Sequence, residues 1–241
     1  MTREEWLLER RKSLGGSDLG AILGLNPWAS PYSVWANKTG RVQELEPNEA
    51  MRQGTDLEEY VARRFSERSG LRVARENAIL RNDQYPHLHA DIDRRIVGMR
   101  AGLECKTASA LNASRFTGGE FPESYYAQCV GYMAVTGYSR YYLAVLVLGR
   151  EFKIYQLAAD PEAETPEWCV SSVYVSPEEF TGIRAAVLDF WEYVEQDKEP
   201  PADSSAATTA ALERVHADAA GGEVDLFGQE AMVKQYLDAV Q

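Results

Sequence analysis

The sequence predicts an α/β domain with a central mixed β-sheet flanked by helices. Three observations carry that expectation. Helical patterns open the chain, three strand-like runs follow, and a helix, two strands and a last long helix complete it. The apolar fraction is 45% over 241 residues, enough for the core of one sizeable domain. The longest apolar run, Tyr141–Leu148, suits a buried strand and is far too short to span a membrane.

The elements follow in order. Residues 3–12 are charged and helical, with Trp6, Leu7 and Leu14 as apolar anchors. Gly15-Gly16-Ser17-Asp18 makes a tight turn and a helix cap, and Leu19, Ile22 and Leu23 give the next helix its apolar face until Gly24 and Pro27 end it. Ser30-Pro31 starts a short helix carrying Tyr32, Val34 and Trp35, stopped near Gly40. Residues 41–50 are a polar connection. The clearest helix runs from Ala50 to Arg68, with Leu57, Val61 and Phe65 on one face, Glu58 at its border and Gly70 as C-cap. Leu71–Leu80, Leu88–Val97 and Gly102–Thr107 read as three strands around Pro86 and Gly98. Leu111–Thr117 is an irregular or helical connection broken by Gly118-Gly119. Pro122 opens a helix over Glu123–Thr136, which Gly137 stops. Tyr141–Leu148 and Glu151–Leu157 form a hairpin through Gly149-Arg150, and Val170–Val175 is a further strand. Ser176-Pro177-Glu178-Glu179 has a capping Ser, Pro at the first helical position and a Glu that completes a capping box, for a helix reaching about Gln196. Gln229–Ala239 reads as an amphipathic helix with Met232, Val233, Tyr236 and Leu237.

Composition shifts after Glu199-Pro200-Pro201, where residues 202–211 are almost all Ala, Ser and Thr, either a linker or the start of a loosely packed helix. The expected organisation is a domain over 1–199 followed by an acidic segment over 200–241. Net charge is −12, and the last segment holds seven acids against Arg214 and Lys234, so five of the twelve excess negative charges lie there. Such a chain does not bind nucleic acid through bulk charge, although an acidic metal site can reach phosphate through its cation. Three dispersed cysteines, Cys105, Cys129 and Cys169, suit a reducing compartment and no disulfide scaffold. The opening Met-Thr-Arg-Glu-Glu-Trp has no apolar stretch behind it, unlike a signal peptide, so the expected location is cytoplasmic. No membrane association is expected.

The residues that carry chemistry are Asp91-Ile92-Asp93 and Leu103-Glu104-Cys105-Lys106. Alternate side chains of a strand face the same way, so Glu104 and Lys106 point together while Leu103 and Cys105 turn toward the core. A hairpin through Gly98 would bring Asp93 beside them. Two carboxylates in an oxygen-rich shell suit Mg²⁺, with Mn²⁺ as a substitute, rather than zinc, and a neighbouring lysine can hold a water. The same spacing also occurs on solvated sheet faces, where such pairs are worth little. Gln128 and Tyr132 stand four apart on one helix, one turn from Tyr125. His87 and His89 have only His216 as a third histidine and no cysteine cluster for a structural zinc. Tyr125, Tyr126, Tyr138, Tyr141 and Tyr142 could stack on bases or fill the core.

An ordered set of motifs now points to a family. Arg10 to Asp18 with Leu-Gly-Gly-Ser-Asp, Ile22-Leu23-Gly24-Leu25-Asn26-Pro27-Trp28, Gly54-Thr55-Asp56-Leu57-Glu58, Ala90-Asp91-Ile92-Asp93-Arg94, Ala101-Gly102-Leu103-Glu104-Cys105-Lys106-Thr107 and Pro122 to Gly137 follow one another in register. In this the sequence resembles the YqaJ-like viral recombinases, phage alkaline exonucleases related to lambda exonuclease, within the PD-(D/E)xK nuclease superfamily.

The resemblance implies a restriction-endonuclease-like core and a role for each residue. Asp93 and Glu104 would bind the metal, with the backbone carbonyl of Cys105 as a further ligand and Glu58 joining directly or through water. Lys106 would position the attacking water. Gln128 would contact substrate near the cleaved bond, with Tyr132 completing a Gln-x-x-x-Tyr pattern. Arg10 and Ser17 would contact a terminal 5′ phosphate. Arg10 offers a planar fork and Ser17 lies where helix-start N–H groups favour an anion. Periodicity does not separate Asp91 from Asp93; the resemblance favours Asp93 and leaves Asp91 behind it. The cysteines lack the spacing of the iron–sulfur cluster that some Gln-x-x-x-Tyr nucleases carry.

The implied activity is Mg²⁺-dependent 5′→3′ digestion of double-stranded DNA from its ends, leaving 3′ overhangs for a single-strand annealing protein. The implied assembly is a homo-oligomer, a trimeric ring in lambda-type relatives. Two other functions fit the same residues: a structure-specific or single-strand nuclease, and a catalytically idle DNA-binding protein. The intact Asp93, Glu104 and Lys106 weigh against the last. The acidic C-terminal segment could bind the annealing partner or pack on the domain.

Overall fold

The computed structural model describes residues 3–42, 47–217 and 234. Four helices come first: α1 (Arg3–Arg11), α2 (Gly16–Ile22), α3 (Pro31–Lys38) and α4 (Glu49–Ser69), with the two-residue strand β1 (Leu14–Gly15) between the first two. Ser30 caps α3 by accepting from the Ser33 N–H, and Asn48 caps α4 by accepting from that of Met51. Gly70 ends α4 in the left-handed conformation, the role its sequence position suggested. The strands β2 (Val73–Arg75), β3 (Leu80–Arg81), β4 (Leu88–Ala90), β5 (Arg94–Ile96) and β6 (Ala101–Ala108) follow. A 3₁₀ turn over Ala110–Phe116 leads to α5 (Glu123–Thr136), then β7 (Arg140–Val147), β8 (Glu151–Ala158), β9 (Ser171–Tyr174), α6 (Pro177–Glu195) and α7 (Ala206–Val215).

Six strands form the central sheet in the order β2-β5-β6-β7-β8-β9. Strands β5 and β6 pair antiparallel, β6 and β7 parallel, and β7 and β8 antiparallel, so the sheet is mixed as the sequence predicts. A second sheet has the order β1-β4-β3. Helices cover both faces of the main sheet. Val61, Ala62 and Phe65 of α4 lie with Ile96, Leu103, Tyr142 and Ala144 on one side. Helices α2, α3, α5 and α6 enclose the other, larger core with Leu143, Val145 and Tyr155.

Three sequence expectations change. The strands expected over 71–80 and 88–97 each divide, and their halves enter different sheets. The second break has a local cause. The Asp93 carboxylate accepts the Cys105 N–H at 2.7 Å, and the Arg94 side chain returns to the Asp93 carbonyl at 2.6 Å. Side chains thus take the bonds that a continued ladder would make. Second, Glu104 and Lys106 do share a face, but that face is not open, because α5 lies on it and Glu104 is 3% exposed. Third, of the two readings of the Ala/Ser/Thr stretch the structure bears out the helix start, but that helix is not loosely packed. Ser205 caps α7 by accepting from the Thr208 N–H, and Thr208 and Ala211 are buried as α7 lies against α3. The Gln229–Ala239 segment lies outside the described residues apart from Lys234, which is helical. Among the described residues no helix is long and apolar enough to cross a membrane.

Gly102 shows how tightly the central strands are fitted. It pairs with Tyr141 across β6 and β7, and a Cβ there would stand 2.2 Å from the tyrosine ring. Gly102→Ala is expected to cost about 1–3 kcal/mol through overpacking, seen in urea unfolding as a lower midpoint at unchanged slope.

Candidate active site

Glu104 sits in the middle of β6 beneath α5. Its Oε1 accepts from Lys106 Nζ at 2.6 Å and from Gln128 Nε2 at 2.7 Å. Gln128 Nε2 also donates to the Tyr132 hydroxyl at 3.1 Å, so both of its amide hydrogens are engaged. The Glu104 Oε2 is buried with no hydrogen-bond partner. Asp93 comes close from the end of β5, held by the Cys105 N–H.

Burial and the charge of Glu104 push the Asp93 carboxyl well above the usual range. Burial also raises Glu104, against the opposing pull of Lys106. For Lys106, burial alone would lower its proton affinity, but the charges of Glu104 and Asp93 outweigh it and the ammonium is held more firmly than usual. Its Nζ also lies 5.3 Å from the Tyr125 ring centroid. Two desolvated carboxylates thus share one ammonium, and one buried carboxylate oxygen is left over. A hard cation with oxygen ligands fits that deficit. Among the described residues no three His, Cys, Asp or Glu side chains form a ready metal cluster. Glu58 faces the site from α4, but its Oε1 accepts from Arg94 at 2.5 Å. Arg94 also reaches Glu59 at 3.0 Å.

Arg10 lies in the last turn of α1 with its Nε 3.1 Å from Asp91 Oδ2 and its guanidinium over the Trp6 ring at 4.5 Å. Ser17 is exposed in the first turn of α2. The structure therefore separates the two aspartates: Asp93 stands with Glu104, and Asp91 with Arg10. A cleft of about 260 Å³ joins the two regions, lined by Trp6, Glu58, Asp91, Asp93 and Arg94 among others.

The glycine turn has a structural reason besides its cap. A Cβ on Gly16 would meet the Tyr132 ring at 2.4 Å, so this glycine seats the tyrosine that holds Gln128. Asp18 accepts from the Gly15 N–H at 2.8 Å and pairs with Lys38 at 2.7 Å. Burial would raise the Asp18 carboxyl, yet Lys38 and the backbone N–H bring it below its ordinary value.

A model of the YqaJ-like viral recombinase domain matches residues 5–139. The protein YqaJ of Bacillus subtilis (strain 168) is 38% identical over 243 residues, covering 98% of this chain and 71% of that protein. The chain belongs to the YqaJ-like viral recombinase family. Its fold is similar to that of the alkaline exonuclease LHK-Exo of Laribacter hongkongensis. The TM-score is 0.62 at 16% identity, with 80% of this chain and 93% of that one covered. LHK-Exo in complex with dAMP gives a TM-score of 0.63 at 18% identity, covering 90% and 100% of the two chains. A phage-related exonuclease from Haemophilus somnus 129PT gives 0.53 at 10%, covering 77% and 96%. At these identities the likeness is one of fold.

The sequence of this YqaJ-like domain pointed to no part in the site for Arg94 or Lys38, and for Trp6 only to a place as an apolar anchor. Arg94 carried a usable signal: it shares a strand face with the buried Ile96, and an inward arginine requires acids opposite, here Glu58 and Glu59 on α4.

The raised Asp93 carboxyl has a consequence for stability. A carboxyl whose folded pKa exceeds its unfolded value favours folding below the unfolded pKa, and that contribution is lost as pH rises through the folded value. In chelator Asp93→Asn is therefore expected to melt close to the parent at pH 4 and increasingly above it as pH rises and Asp93 is driven to ionise. Thermal melts across that pH range check this.

Proposed function

We propose that this YqaJ-like chain is a metal-dependent 5′→3′ exonuclease of double-stranded DNA that leaves 3′ single-stranded overhangs for phage recombination. The observation that carries the proposal is the desolvated Asp93–Glu104 pair with its unpartnered Oε2 beside Lys106. Similarity of fold to proteins described as exonucleases, one of them in complex with dAMP, supports it.

In this reading Asp93, Glu104 and the Cys105 carbonyl hold Mg²⁺ or Mn²⁺, and Glu58 joins directly or through water. When bound, the cation polarises the phosphodiester and acidifies a water. Lys106, kept as an ammonium, holds the attacking water in place. Gln128 fixes the Glu104 carboxylate, Tyr132 fixes Gln128, and the pair borders the scissile bond. The water oxygen adds to phosphorus and releases a proton to solvent, the P–O3′ bond breaks, and the departing 3′ oxygen takes up a proton from solvent. The shortened strand then carries a new 5′ phosphate, the group assigned to Arg10 and Ser17, so each cycle restores the end that the next one recognises.

The proposed nuclease domain spans 1–199, with 200–241 following. The proposal includes a homo-oligomer, a ring that encloses the product strand, an annealing protein as partner and a cytoplasmic location. Copurification of that partner with the full chain, and not with one ending at Pro200, tests the role of the tail. That truncation also removes α7 from α3, so its melting temperature must accompany the result.

Linear duplex labelled at its 5′ or 3′ end, with Mg²⁺ or chelator, is the direct test. Release of 5′-end nucleotides that requires Mg²⁺ and spares a closed circle is the expected outcome; cutting of the circle would move the protein to an endonuclease. Glu104→Ala and Lys106→Ala are expected to fold and to lose on the order of 10²–10⁴-fold in turnover. Wild-type rates in either would sink the site assignment. Mg²⁺ should raise the melting temperature of the parent and not that of Asp93→Asn.

A further inference from the structure

Arg10 is fixed at more than one point. Its carbonyl oxygen accepts from Lys38 Nζ at 3.1 Å, and the Lys38 side chain is itself buried against Asp18. Its Nε faces Asp91 Oδ2 at 3.1 Å, and its guanidinium plane lies on Trp6. Behind Asp91 stands His89, fully buried, with Nε2 3.4 Å from the same Oδ2 and Nδ1 2.8 Å from Ser13 Oγ. Ser13 Oγ also accepts from Arg81 Nη1 at 3.0 Å. Arg10 Nε, Asp91 Oδ2 and His89 Nε2 are all buried, and none has a well-formed hydrogen bond. This cluster is therefore poor as a stabilising network. What it does is restrict the arginine.

With Nε turned toward Asp91, the end of the guanidinium remaining for an anion is the Nη1–Nη2 pair. A Cβ on Gly15 would lie 3.5 Å from Nη2, so that end stands beside the turn that starts α2 and carries Ser17. Asp91 also lines the cleft that contains Asp93. Two effects of Asp91 on a bound phosphate compete. Its charge repels the anion through a partly wet medium, and its contact removes rotamer freedom that binding would otherwise have to freeze.

We propose that Asp91 is a positioning residue: backed by His89, it aims the Nη1–Nη2 end of Arg10 at the terminal 5′ phosphate of the DNA strand being digested. The inference rests on the phosphate role of Arg10 stated above. Positioning outweighs repulsion because the arginine already neutralises Asp91.

The two effects predict opposite signs. Rates on linear duplexes with 5′-phosphoryl or 5′-hydroxyl ends are to be measured for the parent, Arg10→Ala, Asp91→Asn and the double variant, separating kcat from KM. The expected result for Asp91→Asn is a fall of roughly 3- to 10-fold in the phosphoryl-to-hydroxyl ratio of kcat/KM, the range that freezing one long side chain represents. The fall should appear in KM, and the double variant should have the ratio of Arg10→Ala alone. An unchanged ratio, a raised ratio, or further loss in the double variant would overturn the positioning role while leaving the phosphate reading intact. An unchanged ratio in Arg10→Ala would overturn the phosphate reading and this inference together. Asp91→Ser provides a second neutral variant should the asparagine protein fail to fold.

Discussion

The carboxylate of Glu104 is the constraint around which this half of the molecule is arranged. It is 3% exposed between a sheet and a helix, where an uncompensated charge would cost several kcal/mol, roughly, even after relaxation. Lys106 and Gln128 meet one of its oxygens. Gln128 is steadied by Tyr132, and Tyr132 fits only because residue 16 has no side chain. The dependence runs on through the contact of α2 with α5. A Cβ on Gly20 would meet Ser124 at 2.9 Å, and one on Gly131 would meet Leu19 at 2.2 Å. The glycines near the start of the chain and the acid of the central strand therefore belong to one mechanical unit, although more than eighty residues separate them in sequence.

This unit explains what was legible in the sequence and what was not. Boundaries set by local chemistry were legible: α5 begins after Pro122 and ends at Gly137, and α6 follows its Ser176 capping box. The hairpin that puts Asp93 beside Glu104 was also legible, because Gly98 and the short connection leave little choice. The division of 88–97 was hidden, since it depends on the Asp93 carboxylate reaching the N–H of a residue twelve positions away. The burial of Glu104 was hidden for a related reason. Period-two alternation assigns side chains to faces, but it cannot say that a helix from later in the chain covers the polar one. Helix α7 was obscured by its Ala and Thr content, which gives little amphipathic contrast even though Thr208 and Ala211 are buried.

Charge is arranged in the same economical way. The chain carries −12 overall, an unfavourable background for a polyanion. Around the cleft, however, most acids already have cations: Glu58 and Glu59 share Arg94, Glu59 also meets Arg75, Asp91 faces Arg10, and Asp18 has Lys38. Asp93 and Glu104 differ, having one ammonium between them. The strongest uncompensated negative charge in this region is thus confined to two adjacent carboxylates. A divalent cation placed there would reverse the local sign at the point where the proposed function brings a phosphate.

The kink at Asp91-Ile92-Asp93 ties these elements into a single geometry. Had the segment continued as one strand, both aspartates would project from the same face of one sheet, and neither could serve two regions. The break sends β4 into the small sheet with β1, next to the end of α1, and leaves β5 in the main sheet next to β6. Asp91 then meets an arginine from α1, and Asp93 meets the central strand, while Ile92 between them is buried as the pivot. The interval between Asp91, which meets Arg10, and Asp93, which meets the central strand, is consequently set by two residues of backbone. The proposed exonuclease, which would measure one nucleotide from an end, requires such a fixed interval. The family motif Ala90-Asp91-Ile92-Asp93-Arg94 is, in physical terms, the joint that holds it.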